Sequence, residues 1–272
     1  MEKMKKYELT TNTIVHNGRT LYQIKALMNF GIIREGDLGG YIESEKNLSQ
    51  EGSAWVSDNA CVSDDAWVGD DARVSGNARV SDDAWVSGNA SVSDDASVSD
   101  DAWVSGNARV SGNARVSGNA RVSDDAWVSG NARVRGNASV SDDASVSDDA
   151  WVSGNASVSD DASVSDNAWV RGNARVSGNA RVSGNASVSD DAWVSRNADY
   201  TTIKGFGTEY RNTTFFRCKD GNVRVVCGCF YGTIDEFREQ VKRTRAGKIA
   251  EEYLMIADLM EFHFREENTN DM

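Results

Sequence analysis

The sequence predicts an all-β solenoid, a three-sided coil of short parallel strands with a small module at each end. Three observations predict it. Valine occupies position 56 and every sixth position up to Val194, 24 in all, and alanine stands two residues before each of them. The residue just before each valine, Cys61 apart, is Trp, Arg or Ser. Each unit closes on two residues drawn almost entirely from Asp, Gly and Asn. Self-similarity at a fixed period is the signature of a repeat architecture.

A period of six fits a strand and a corner. Alternation sends Ala and Val inward and the residues between them outward. The two closing residues are of the types that tolerate left-handed backbone or bond to their own main chain. Four strand residues and a two-residue corner make one side, and three sides return the chain to its starting azimuth after eighteen residues. A small Ala leaves room where three walls converge, and Val suits a strand. The composition, rich in Ser, Asp, Gly and Asn, is also common in unfolded chains. The strict phase of the valines argues against that, because a solvated linker has no reason to keep it.

The units Val-Ser-Asp-Asp-Ala-Trp and Val-Ser-Gly-Asn-Ala-Arg resemble the hexapeptide-repeat family, with Ser standing where that family usually has Gly. The resemblance covers about half the chain and implies a left-handed, triangular parallel β-helix. It is specific for fold and not for activity.

The chain divides into a cap over 1–37, a coil over 38–199 and a C-terminal α+β module over 200–272 for capping or oligomerisation. In the cap, Thr13–Tyr22 reads as a hairpin whose Asn17-Gly18 suits a type I′ turn. The large apolar residues of Ile24–Phe30 are expected to cover the open end of the coil, as a solenoid requires. A degenerate first coil spans 38–55, with Leu38 in the valine register and Ile42 and Leu48 in the alanine register. Eight regular coils follow, about 38 Å of rod at roughly 4.8 Å per rung. In the module, Thr213–Cys218 and Val223–Phe230 read as strands. Thr233-Ile234-Asp235-Glu236 is a capping box, and Ala246-Gly247 separates two helices. Cys227–Phe230 and Gly232–Phe237 are similar to tails of hexapeptide-repeat proteins from bacteria and their phages.

Charge is unevenly placed. The net charge is −13, and 24 acidic residues against 11 arginines between Glu51 and Asp199 account for all of it. That argues against direct binding of nucleic acid by the coil, because a phosphate backbone calls for Lys and Arg. No signal peptide or membrane span is legible, and four unevenly spaced cysteines read as reduced thiols, so a cytoplasmic setting is expected. Cys218, Cys227 and Cys229 are expected as buried thiols, since the zinc pattern of two spaced pairs is missing.

The best-known members of the hexapeptide family are acyltransferases, and the resemblance would imply a catalytic histidine near a loop projecting from the coil. His16 and His263 both lie off the coil and no loop interrupts the repeat, so no catalytic residue, metal or cofactor is assigned. The outward positions are more informative. Trp67, Trp85 and Trp103 are eighteen apart and should stack on one side, followed by Arg121. Each follows an acidic corner: Asp64-Asp65, Asp82-Asp83 and Asp100-Asp101. Trp151 and Trp169 should stack above Arg133 on a second side, and Asp124-Asp125, Asp142-Asp143 and Asp160-Asp161 form another acidic ladder. Aromatic residues and large exposed apolar patches mark binding surfaces. The expected function is a non-enzymatic interaction protein that presents these columns to a protein partner, including one that itself binds nucleic acid. The alternatives are a phage-type counter-defence inhibitor that mimics nucleic acid, a self-associating structural coil with homo-oligomers through the C-terminal module, and, last, an acyl-coenzyme A-dependent acyltransferase.

Overall fold

The computed structural model describes residues 4–265. Between Trp55 and Val194 the chain winds as a parallel β-helix with three sheets for walls. Every valine of the repeat from Val56 to Val194 is at most 1% exposed, and the alanines form one continuous core with them. Successive coils pair in register eighteen residues apart, Val98 with Val116 and Val116 with Val134. Regular strand is confined to two residues per side, such as Trp103–Val104, rather than the four expected. The reason lies in the corner: the Ala60 amide donates across it to the Ser57 carbonyl at 3.1 Å, so the turn takes in the flanking Ser and Ala. Ser still bonds between coils, the Ser57 amide donating to Val74 O at 2.9 Å.

The first corner residue has positive φ in every unit from Asp58 to Asp190, and it is always Asp or Gly. In most units where it is Asp, its carboxylate serves the next coil: Asp58 Oδ2 accepts from the Gly76 amide at 3.1 Å, and Asp100 Oδ2 from Gly118 at 2.9 Å. That amide has no ladder partner of its own, so the Asp completes the backbone accounting. Stacked carboxylates in this position are thus structural. The repulsion between like charges a few ångströms apart is modest in water and is offset by these charge-assisted bonds.

The N-terminal end departs most from the expected register. Tyr7–His16 and Arg19–Ala26 form the hairpin, turning at Asn17 and Gly18 with φ of 49° and 77°. Leu38–Ile42 pairs antiparallel with Arg19–Ala26 and parallel with Cys61–Val62, which adds the cap to one wall as an 11-stranded sheet. Ile42 lies beside Val62 and Leu48 beside Val68, so both fill valine positions rather than alanine ones. Two extra residues between Leu48 and Val56 displace the apparent register. Leu38, expected inward, is exposed, because it precedes the first complete coil and has nothing above it to cover. Tyr7, Ile24 and Trp55 close the rod end, while Leu27 and Met28 remain partly exposed.

Lys6 is buried in this end. Its ammonium donates to the carbonyls of Glu51, Gly52 and Ala54 at 3.2, 3.4 and 3.0 Å and lies 5.0 Å from the Phe30 ring. Burial lowers its pKa to about 8, against the opposing pull of Asp71. Between pH 8 and 10 the folded chain therefore sheds a proton that the unfolded chain retains, so this residue's contribution to stability rises with pH. Cys218, pushed up to about 11 by burial, acts in the opposite sense. The effect is therefore read as a difference: the gap in urea midpoint between wild type and Lys6→Met should shift in favour of wild type from pH 8 to 10. A gap independent of pH would remove Lys6 as the titrating group.

The C-terminal module caps the other end. Tyr200–Phe206, Arg211–Arg217, Val223–Cys227 and Phe230–Thr233 form an antiparallel sheet in that order. Alternation splits its apolar residues between two cores. Phe216 and Val226 face the rod, and Phe215 and Val225 face the helices. The segment Val223–Phe230 is not one strand as expected. It folds back at Gly228, where φ is 61°, so Cys229 lies exposed in a turn and Cys227 is only half-buried. Cys61 and Cys218 are buried. The strand Tyr200–Phe206 was not legible because Lys204, Gly205 and an exposed Phe206 break its pattern. Helices α1 (Ile234–Thr244) and α2 (Gly247–His263) follow. The capping box forms at the first, with the Thr233 amide donating to Glu236 at 2.7 Å and the Glu236 amide to Thr233 Oγ1 at 3.1 Å.

Candidate functional site: the tryptophan face

One wall carries Trp67, Trp85, Trp103, Arg121, Ser139, Ser157, Arg175 and Trp193 in consecutive coils. The Trp67 and Trp85 rings are 4.5 Å apart at centroid, Trp85 and Trp103 are 6.0 Å apart, and the Arg121 guanidinium lies 6.0 Å from Trp103. The three members of the column are not equivalent. Trp67 folds over Gly69, the one unit with glycine after its valine, where an added Cβ would overlap the indole. It is half-buried there, whereas Trp85 and Trp103 remain 46% and 45% exposed.

The acidic edge is also uneven. Asp64 pairs with Arg19, and Asp65 pairs with Lys46 at 2.6 Å. The cap therefore neutralises the first corner, which the sequence pattern had grouped with the other two. Asp82 Oδ2 accepts from Ser81 Oγ at 3.0 Å and from the Asp100 amide at 3.3 Å.

The second corner residue bonds in one direction: from Asn59 to Asn155, and again at Asn173, an Asn side chain donates to whatever stands in the same place in the next coil. Asn119, Asn137, Asn155 and Asn173 form such a run, ending on Asp191, with bonds of 3.1, 3.0, 3.0 and 3.4 Å. A carboxylate can only accept, so an Asp is satisfied only when the preceding coil supplies a donor. Asp95, Asp125 and Asp149 receive one from Asn77, Asn107 and Asn131. Asp83 and Asp101 follow other aspartates, as do Asp143 and Asp161, and these four have no side-chain partner among the described residues. Two of the four border Trp85 and Trp103. This selection could have been read from the Asp-after-Asp order eighteen residues apart.

The secondary column forms as well. Trp151 and Trp169 are 5.1 Å apart, and Arg133 and Arg135 lie 5.6 and 4.0 Å from the Trp151 ring. It is not a free strip. Trp151 is pinned between arginines, and Trp169 lines a groove of about 370 Å³ closed on one side by Asn212, Thr214 and Val226 of the module.

His16 ends the first hairpin strand and His263 ends α2, so neither lies on the coil. Among the described residues no group of three or more His, Cys, Asp or Glu is placed to hold a metal. No described helix is long and apolar enough to cross a membrane.

Fold and surface together define a β-helix repeat protein. A family profile described as YdcK Beta solenoid repeat matches residues 72–88, 102–116, 114–130, 174–190 and 180–196 of the coil. Among solved structures, the chain is similar to a Bacillus cereus protein described as an inferred acetyltransferase. The identity is 11%, over 71% of this chain and 98% of that one, with a TM-score of 0.41. It is similar also to an Arabidopsis UDP-N-acetylglucosamine acyltransferase at 8% identity, over 57% of this chain and 69% of that one, with a TM-score of 0.20. No curated protein matches.

Proposed function

We propose that the protein is a binding scaffold whose coil presents the Trp85/Trp103 pair, bordered by Asp83 and Asp101, to a protein partner with a basic surface. One observation carries it. The two most exposed indoles of the column lie beside carboxylates that no group among the described residues satisfies. Half-exposed stacked indoles gain by losing water to a partner. Unpaired carboxylates on a coil that holds all of the chain's net charge favour encounter with a cationic surface. The positions differ from the rest of the wall only in their side chains, because Ser139 and Ser157 occupy the same places further along.

The test follows from that equivalence. Trp85→Ser/Trp103→Ser keeps the coil, and its circular dichroism and melting should match the wild type. A partner captured by wild-type bait should bind the double variant at least about 30-fold more weakly, the loss of one or more strong anchor residues. Asp83→Asn/Asp101→Asn should slow association and flatten its salt dependence. A purified partner that binds all three forms with one Kd rules this surface out.

A further inference from the structure

We infer that α2 joins two copies of this chain in an antiparallel pair, through Met255, Leu259 and Phe262. This goes beyond the proposed function and uses the opposite end of the molecule. Helix α2 is apolar on two sides. Tyr253, Ile256, Ala257 and Met260 face the sheet and α1, and all four are buried. Met255, Leu259 and Phe262 follow at spacings of four and three residues, which places them in one stripe, and they are 62%, 57% and 70% exposed. An apolar helix face is ordinarily turned to something that covers it. The described chain covers only one side.

Charge around the stripe selects the occupant. Glu251 and Arg265 are exposed at opposite ends of the stripe, Glu251 in the first turns of α2 and Arg265 just past its last residue. A two-fold axis across the helix reverses its direction. It therefore sets Glu251 of one copy beside Arg265 of the other, twice, and brings Met255 opposite Phe262. Asp258, near the axis, already pairs with Arg238 at 2.7 Å, so the like charges that meet there are compensated. Arg265 lies 5.9 Å from the Phe262 ring, which holds it at the border of the stripe. A bilayer fits less well, because Glu251, Glu252, Asp258 and Glu261 still outnumber Lys248, Arg265 and the Arg238 that pairs with Asp258 and Glu261. A self-complementary patch that makes the same contact twice is the arrangement of a two-fold dimer.

The full chain has a mass of 29.5 kDa. Sedimentation equilibrium should return twice that mass at micromolar concentration. Leu259→Glu/Phe262→Glu should sediment as the monomer with unchanged circular dichroism. Glu251→Arg alone should weaken the dimer about tenfold, and Glu251→Arg/Arg265→Glu should restore it, which mere loss of apolar area does not predict. Trp85→Ser/Trp103→Ser should stay dimeric, which separates this surface from the tryptophan face. A wild-type monomer at 100 µM (about a hundredfold above micromolar affinity) overturns the proposal, as does a dimer indifferent to Leu259→Glu/Phe262→Glu. Cosedimentation of a monomer with phosphatidylcholine–phosphatidylglycerol vesicles also overturns it, in favour of a membrane.

Discussion

Val116→Asp is expected to abolish cooperative folding of the coil. Val116 is fully buried in the middle of the rod, paired with Val98 on one side and Val134 on the other. The core there consists of methyl groups, with no donor within reach of a carboxylate. The group must either stay ionised without a partner or take up a proton and remain short of hydrogen bonds. The cost is on the order of 4–5 kcal/mol before any loss of packing. A solenoid has no distant core to absorb it, because each coil contacts only its neighbours and stability is close to a sum of coil and interface terms. Urea unfolding should then lose its single transition, with the two halves melting separately or the chain aggregating. Val116→Ala at the same site removes only methyl groups and should cost about 2 kcal/mol. Ser117→Ala, beside it on the corner, should stay within about 0.5 kcal/mol. If Val116→Asp melted like Ser117→Ala, the valine row would not be the core.

The repeat was legible because sequence period and structural period coincide there, so each inward methyl could be placed by counting. Counting failed at Leu38, Ile42 and Leu48, where a two-residue insertion near Gly52 shifts the phase and the cap, not the repeat, decides what is covered. The tryptophan columns were legible by the same arithmetic. What arithmetic alone could not give was that the first member of the column is withdrawn. Trp67 is folded down by Gly69, and Asp64 and Asp65 are tied by Arg19 and Lys46, residues far away in sequence. Cys227 and Cys229 were misplaced because a strand-like run of Val and Cys hides a turn that only the pairing of Cys227 with Phe230 defines.

The two rod ends share a device absent from the repeat. At the N-terminal end a buried cation, Lys6, takes carbonyls. At the C-terminal end a buried anion, Asp199, takes amides. Asp199 accepts from the Ser195 amide at 3.0 Å, Ser195 Oγ at 2.7 Å and the Arg196 amide at 2.9 Å, with the Arg196 guanidinium at 3.2 Å. It thereby ties down the turn through which the chain leaves the coil for the module. Burial pushes its pKa up, but the bonds from Ser195 and Arg196 outweigh burial and hold it below the usual carboxylate value. A depressed carboxylate stabilises the fold fully above its unfolded pKa and loses that contribution as pH falls through the folded one. Asp199→Ala should therefore cost about 3 kcal/mol at pH 7, because it strands the donors that now converge on one side chain. Asp199→Asn keeps the shape and gives up the charge. Its deficit against wild type, read from urea midpoints, should be full above about pH 5 and shrink as pH drops through 4. A deficit that stayed constant down to pH 3 would mean that shape, not charge, closes this end of the rod.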